Sequence, residues 1–368
     1  MLGLDGGRLS PAVQSLTALA GALEPFGRAD DLLRRLAGLR LSASTCRRVT
    51  EGAGDALRQR HGDGEPIRAA RPAAWDFTLP DRDGQSSPGT VAYLGLDAFA
   101  VPTRRGGGVD WRMLYVGLLY DPRKEHTVYL SDFDFEVVAG WMRHYATACG
   151  LGVAETLVAL TDGGNGLERV LRQAFSDAVV FVLDYYHAAE RLHAFGGLLH
   201  GHDPGAARAW AEEAKGVLWE RGGGALLDWL RGLRLPRKAG AELREGLRGL
   251  LGYVESNRHR MDYPGYRARG WDVGSGPTEA GCKILGHRVK GGGMRWLQAG
   301  SLEVAALKAL YASGMGLWDA FCKQRQPGPN HSKCKGHDRF RRSPILAVGW
   351  SHSGIVDQPA AHPGCPVS

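Results

Sequence analysis

The sequence predicts an α/β protein: a mixed five-stranded sheet with helices, interrupted by an all-helical block and preceded by a small helical region. Three observations predict it. Five β-rich apolar runs fall between residues 91 and 183, the first three as a meander and the last two each after a helical segment. From Tyr185 to about Tyr263 the apolar residues recur at helical spacing with no clear strand. The first sixty residues repeat leucine at the same helical spacing.

In chain order, Leu16, Leu19, Leu23 and Phe26 mark a first helix. A second, about Ala29 to Leu39, carries Leu32, Leu33, Leu36 and Leu39. After the turn Gly38-Leu39-Arg40-Leu41, Ser42 or Ser44 can cap a third helix bearing Arg47, Arg48, Arg58 and Arg60. Helix, short turn and basic helix outline a helix-turn-helix DNA reader, with a plain helical hairpin as the alternative. Residues 61–90, rich in Gly, Pro, Asp and Ser, read as linker.

Val91 to Asp97 is the first strand, ending in an acid. Trp111–Tyr120 and His126–Leu130 follow, joined by the turn Asp121-Pro122-Arg123-Lys124. Phe135, Val138, Met142, Tyr145 and Cys149 trace a helix that Gly150 stops. Thr156–Leu160 is a buried-type strand running into Asp162. Gly163-Gly164-Asn165-Gly166 then turns into a helix through Leu167, Val170, Leu171 and Phe175. Ala178–Leu183 is the fifth strand and ends at Asp184. Leu302 to Trp318 reads as one amphipathic helix, and the tail from Lys323 as poorly ordered. The resulting divisions are 1–60 (helical), 61–90 (linker), 91–187 (core, first part), 188–270 (helical insertion), 271–322 (core, second part) and 323–368 (tail).

The stretch Trp271–Trp296 organises the rest. Ser275 can cap a helix and Pro277 suits its first turn. Helical spacing puts Glu279, Lys283 and Lys290 on one stripe, opposite Leu285 and Val289. Gly291-Gly292-Gly293 ends that helix, and Arg295 and Trp296 follow. A carboxylate among cations suits a metal ion meeting a phosphate chain, whereas the plain reading is a solvated amphipathic helix.

Composition narrows the classes. The 368 residues suffice for two or three domains, and 43% apolar content makes the chain globular. Lys plus Arg is 46 against 39 acids, with pI about 9.1, which fits a polyanionic partner. The longest apolar run is about six residues, far short of a membrane span. Six scattered cysteines without framework spacing suggest a reducing cytoplasm. Cys322, His331, Cys334 and His337 match no standard zinc spacing.

Asp97 and Asp162 each close an apolar strand, where sites gather in such sheets, and a helix-borne Glu279 can complete a trio. Three carboxylates are hard ligands that favour Mg²⁺ or Mn²⁺ over Zn²⁺. Two such ions about 4 Å apart activate a water or sugar hydroxyl and stabilise the leaving oxygen. For any one of these acids a helix cap is the simpler role.

These stretches carry a family resemblance. Leu94-Gly95-Leu96-Asp97, Thr161-Asp162-Gly163-Gly164, Asp184-Tyr185-Tyr186-His187 and Gly274-Ser275-Gly276-Pro277-Thr278-Glu279 resemble an insertion-sequence transposase of the DDE class with a ribonuclease-H-like fold. The closer likeness is to the ISKra-type family and its Mutator-like relatives. Leu2-Gly3-Leu4, Leu41-Ser42-Ala43-Ser44-Thr45, the segment to Trp296 and Trp318-Asp319-Ala320-Phe321 extend it over nearly the whole chain to Phe321. Family members carry more chain ahead of Leu2, so a further DNA-binding part is expected to be missing here.

The resemblance implies that Asp97, Asp162 and Glu279 are the catalytic metal-binding acids, with Asp97 bridging two Mg²⁺ or Mn²⁺ ions. It implies that His187, paired with Asp184, touches the scissile phosphate or the leaving strand, while a helix cap at Asp184 is the alternative. Residues 188–270 correspond to the family's insertion domain. The implied reaction is cleavage at the element's terminal inverted repeats and transfer of the 3′ end to target DNA, by a dimer or higher oligomer, in the bacterial cytoplasm at the nucleoid. Lys283, Lys290, Arg295, Arg47 and Arg48 are expected on DNA backbone, and Trp296 either on an unpaired base or in the core. The rivals are a nuclease of the same fold that cuts without joining, and a catalytically silent DNA-binding descendant.

Overall fold

β-branched and aromatic residues in alternation build the first three strands, β1 (Val91–Arg105), β2 (Gly108–Tyr120) and β3 (Thr127–Asp132), as an antiparallel meander. Gly106 and Gly107, with φ of 54° and 85°, make the tight turn between β1 and β2. In this computed structural model, which describes residues 9–69, 74–81, 89–164 and 166–325, β4 (Thr156–Thr161) and β5 (Val179–Leu183) add parallel to β1. The sheet order is β3-β2-β1-β4-β5. The protein is thus a mixed α/β fold.

Side-chain alternation gives the sheet two apolar faces. Ala92, Leu94 and Leu96 of β1 face a core closed by α4 (Phe135–Ala148) and α5 (Leu167–Phe175). Val91, Tyr93, Val116 and Leu118 face the opposite core. That second core continues into α6 (Tyr185–His200), α7 (Pro204–Arg231), α8 (Ala241–Asn257) and α9 (Tyr263–Ala268) through Leu192, Trp210, Leu227, Leu250 and Tyr263. α7 bends at Gly222, whose φ is 78°, and there Gly223 N–H donates to Met261 O (2.9 Å).

Several expectations need correction. β1 does not end at Asp97 but runs on to Arg105. The apolar run stops there because β4 pairs only with Val91–Gly95, while the ladder with β2 continues to the hairpin turn. The described parts of residues 61–90 are not a loose linker but are packed against the fold: Ile67, Phe77 and Leu79 are buried, and Ile67 N–H donates to Tyr145 Oη (3.0 Å). A few well-placed apolar side chains outweigh the turn-rich composition. The helix expected over Leu302–Trp318 is two, α11 (Gln298–Ala312) and α12 (Leu317–Gln324), split where Gly314, Met315 and Gly316 all take positive φ. α11 is not amphipathic. Ser301, Leu302, Val304, Ala305, Ala306, Leu307, Ala309 and Leu310 bury nearly its whole circumference.

α1 (Pro11–Leu23), α2 (Phe26–Ala37) and α3 (Ala43–Gly62) form the helical start, with Phe26 opening α2 rather than closing α1. Ser42 caps α3, its Oγ accepting from Thr45 N–H (3.2 Å). Ala18, Ala53 and Leu57 share a core with Leu307, Leu310 and Phe321. A Cβ on Gly54 would lie 2.3 Å from Glu303 O, so α3 and α11 meet backbone to backbone. Three of the four arginines of α3 are paired with carboxylates, Arg47 with Glu51 (3.7 Å), Arg58 with Asp132 (2.5 Å) and Arg60 with Glu65 (3.3 Å). His331, Cys334 and His337 lie outside the described residues, and Cys322 accepts a hydrogen bond from Ser15 Oγ (2.9 Å). No described helix is long and apolar enough to cross a membrane.

Candidate active site

The register of two parallel neighbours brings the first two acids together. Gly95 of β1 sits opposite Leu160 of β4, and two residues further along each chain are Asp97 and Asp162. Asp97 is half-buried; Ala98 N–H donates to its Oδ1 (2.7 Å) and the Cys282 thiol to its Oδ2 (3.5 Å). Burial pushes the Asp97 carboxyl above its usual range, and the nearby Asp162 charge adds to the rise. Asp162 Oδ1 accepts from Gly164 N–H (2.7 Å), which closes the turn after β4.

The buried Arg260, from the helical block, props that turn from below. Its Nη1 donates to Thr161 Oγ1 (3.1 Å) and lies 3.6 Å from Glu168 Oε2, while its Nε donates to Asn257 Oδ1 (3.0 Å). Gly163, at φ 87°, has no room for a side chain: a Cβ would sit 2.9 Å from Leu183 Cδ1.

The third acid rides on α10 (Gly276–Val289), which approaches the sheet through glycines. A Cβ on Gly95 would fall 2.0 Å from Thr278 Oγ1, and one on Gly281 would fall 2.8 Å from Tyr129 Cε1. The missing Cβ of Gly95 lets Thr278 settle on β1, which carries Glu279 beside Asp97. Glu279 is 3.7 Å from Lys283 Nζ one turn on. Asp97, Glu279, Lys283 and Lys290 line one open cleft of about 480 Å³. The expected stripe on α10 holds, with Lys283 and Lys290 exposed and Leu285 and Val289 buried.

Asp184 ties the acid-bearing elements together. It is fully buried and caps α6, accepting from Tyr186 N–H (2.6 Å) and His187 N–H (3.3 Å) at Oδ1. Its Oδ2 accepts from Ser275 N–H (2.8 Å) and from the Ser275 hydroxyl. Ser275 therefore makes no side-chain cap on α10, contrary to expectation, because its hydroxyl is committed to Asp184. His187 Nδ1 stands 3.4 Å from the same Oδ2. Burial pulls the His187 imidazole down, but the charges of Asp184, Asp162 and Glu190 outweigh it and hold the group above its ordinary value.

Among the described residues, Asp184, His187 and Glu279 offer donor atoms within 4.8 Å of one another. Asp184 is a poor ligand all the same, because both its oxygens already accept two hydrogen bonds each. Asp97, Asp162 and Glu279 are three half-buried carboxylates; Asp97 feels the charge of Asp162 and shares the cleft with Glu279, although the three do not form a trio of donor atoms within that 4.8 Å among the described residues. The nearest sulfur does not compete, since burial and the Asp97 charge hold the Cys282 thiol far above its usual pKa. That set fits a hard divalent cation such as Mg²⁺ or Mn²⁺.

The remaining expected residues lie elsewhere. Arg47 and Arg295 line a second pocket, and Arg48 is exposed on α3. Trp296 takes the core role rather than the stacking one. It is 7% exposed, its Nε1 donates to Val289 O (2.9 Å), and it packs edge-on against Phe26. Cys282, Arg260 and the Gly95–Thr278 contact escaped the sequence reading, and Ser275 entered it only as a helix cap. No family model matches the chain, and no curated protein matches it significantly.

Proposed function

We propose that this chain is a DDE-class insertion-sequence transposase of ribonuclease-H-like fold. It cuts DNA at the terminal inverted repeats of its element and joins the freed 3′ end to target DNA. The observation that carries the reading is the meeting of Asp97 and Asp162 at one level of two parallel strands, with Glu279 fixed beside them by the Gly95–Thr278 contact. The strand order β3-β2-β1-β4-β5, three antiparallel and two joined parallel, supports the finer fold. So does the helical block standing between β5 and the Glu279 helix.

Asp97, Asp162 and Glu279 would hold Mg²⁺ or Mn²⁺, which when bound supplies an activated oxygen nucleophile and stabilises the departing oxygen. The protein's own side chains do the rest. Lys283 and Lys290, exposed along the cleft, neutralise backbone phosphates. His187, held protonated to higher pH than a free imidazole, donates to a phosphate oxygen of the strand being cut. Asp184 is a positioning residue that locks the starts of α6 and α10 to each other. Cys282 holds Asp97 in place as a neutral donor.

The test is incubation of the protein with duplexes ending in the element's repeats, with Mg²⁺ and a target plasmid, scoring nicks and joined products. Nicks with joining support the reading. Cutting without joining makes the protein a nuclease, and binding without cutting makes it a silent DNA-binding protein. Assembly as a dimer or higher oligomer on DNA belongs to the same proposal and is read from the mass of the complex.

A further inference from the structure

A second pocket, of about 290 Å³, opens where α3, the α1–α2 junction and the loop after α10 converge. Four guanidinium groups line it, Arg47, Arg104, Arg288 and Arg295, against one carboxylate, Glu51, which stands 3.7 Å from Arg47. Backbone bonds from Arg104 N–H to Trp296 O (2.8 Å) and from Trp296 N–H to Pro102 O (3.2 Å) fix the loop to the far end of β1.

Arg288 sets this pocket apart. Its side chain is 1% exposed, with its guanidinium carbon 5.0 Å from the ring centres of both Phe26 and Trp296. Its Nε donates to Gly21 O (2.9 Å), yet Nη1 and Nη2 have no hydrogen-bond partner among the described residues. A buried guanidinium with two idle nitrogens is costly, and such forks are made for phosphate or carboxylate. Burial pulls its pKa down to about 10, opposed by the Glu24 carboxylate, so it stays charged at neutral pH.

We propose that this pocket is a phosphate-group site, in which Arg288 with Arg47, Arg104 and Arg295 grips one backbone phosphate of DNA bound at the acid cluster. The identity of the ligand as DNA rests on the function proposed above. The chemistry itself, a tetrahedral oxyanion against a planar fork, is shared with free phosphate. The loop 290–297 joins the two places: Gly291 lines the acid cleft, while Met294, Arg295 and Trp296 line the arginine pocket. A strand leaving the cleft along this loop meets the four arginines next.

The test measures anisotropy of a short labelled duplex over a salt series, in EDTA so that no cleavage intervenes. Arg47→Gln/Arg295→Gln removes two exposed rim charges without touching the core. It is compared with Arg34→Gln/Arg35→Gln, which removes equal charge from α2, where both arginines pair with Asp31. The expected result is about tenfold weaker binding for the rim variant alone, with a salt slope smaller by about one to two. The second arm follows the melting temperature in inorganic phosphate against chloride at matched ionic strength. A rise in wild type that the rim variant and Arg288→Lys both lose supports the site with free phosphate as its ligand. Equal losses in the two double variants, with no phosphate-specific rise, overturn the proposal. A protein that cleaves but shows that last pattern loses the pocket and keeps the function; one that never cleaves but shows the rim-specific loss does the reverse.

Discussion

Replacing Asp184 separates a helix cap from a tether. In Asp184→Ala the first turn of α6 loses the acceptor for Tyr186 and His187 N–H, a loss of about 1 kcal/mol. The Ser275 N–H and hydroxyl are left without their acceptor in a buried place, which costs about 1–3 kcal/mol more. The expected total is about 2–4 kcal/mol, read by urea unfolding at neutral pH. Asp184→Asn keeps the cap at Oδ1 but turns an amide toward Ser275, so about half that loss is expected. Because the tether spans α6 and α10, Asp184→Ala and Ser275→Ala should couple by about 1 kcal/mol or more in a double-mutant cycle. A loss of about 1 kcal/mol for Asp184→Ala, with additive behaviour against Ser275→Ala, would refute the tether and leave only a cap.

His187→Ala in a folded protein should lower strand cleavage strongly while leaving metal binding intact, and His187→Gln, which keeps a donor, should lose less; full activity in the alanine variant makes the histidine structural. Gly95→Ala drives a methyl into Thr278, 2.0 Å from Oγ1, so a destabilisation of about 1–3 kcal/mol is expected, partly relieved in Gly95→Ala/Thr278→Ala; an unchanged unfolding midpoint would contradict the contact. His61 supplies a pH dependence of stability. Burial, with Arg58 and Arg60, pulls its imidazole from 6.5 down to about 3. Its folded pKa lies below the unfolded one, so its contribution is present above pH 6.5 and is lost as pH falls toward 3, by at most about 1.4 kcal/mol per pH unit. Denaturation midpoints across that range should fall less steeply in His61→Gln, and parallel curves would show that His61 is not the group responsible.

What the sequence made legible follows from the range of the forces involved. β-rich apolar runs marked all five strands, because strand propensity and local burial act within a few residues. Asp97 and Asp162 stood out because each closes a local apolar run, and Glu279 because helical spacing sets it on one stripe with Lys283 and Lys290. Contacts across the chain left no such trace. The seating of Thr278 on Gly95 joins residues from distant segments, as do the Arg260 prop under Asp162 and the commitment of Ser275 to Asp184. Trp296 was ambiguous in sequence because an aromatic beside an arginine serves either a surface or a core, and only the packing of Phe26 and Arg288 decides. The segment around Ile67 and Phe77 misled for the opposite reason, since its composition is that of a loop and its few apolar residues are buried.

The central claim is that Asp97, Asp162 and Glu279 act as one metal-dependent centre. The direct measurement is strand cleavage in Mg²⁺ on element-end DNA by wild type and by Asp97→Asn, Asp162→Asn and Glu279→Gln, with DNA affinity measured alongside. Each change removes a charge and keeps the shape, so each variant should fall to background cleavage with binding retained. Near wild-type cleavage by any one of the three would remove that residue from the centre, and a wild-type protein inert in both Mg²⁺ and Mn²⁺ would contradict the account as a whole.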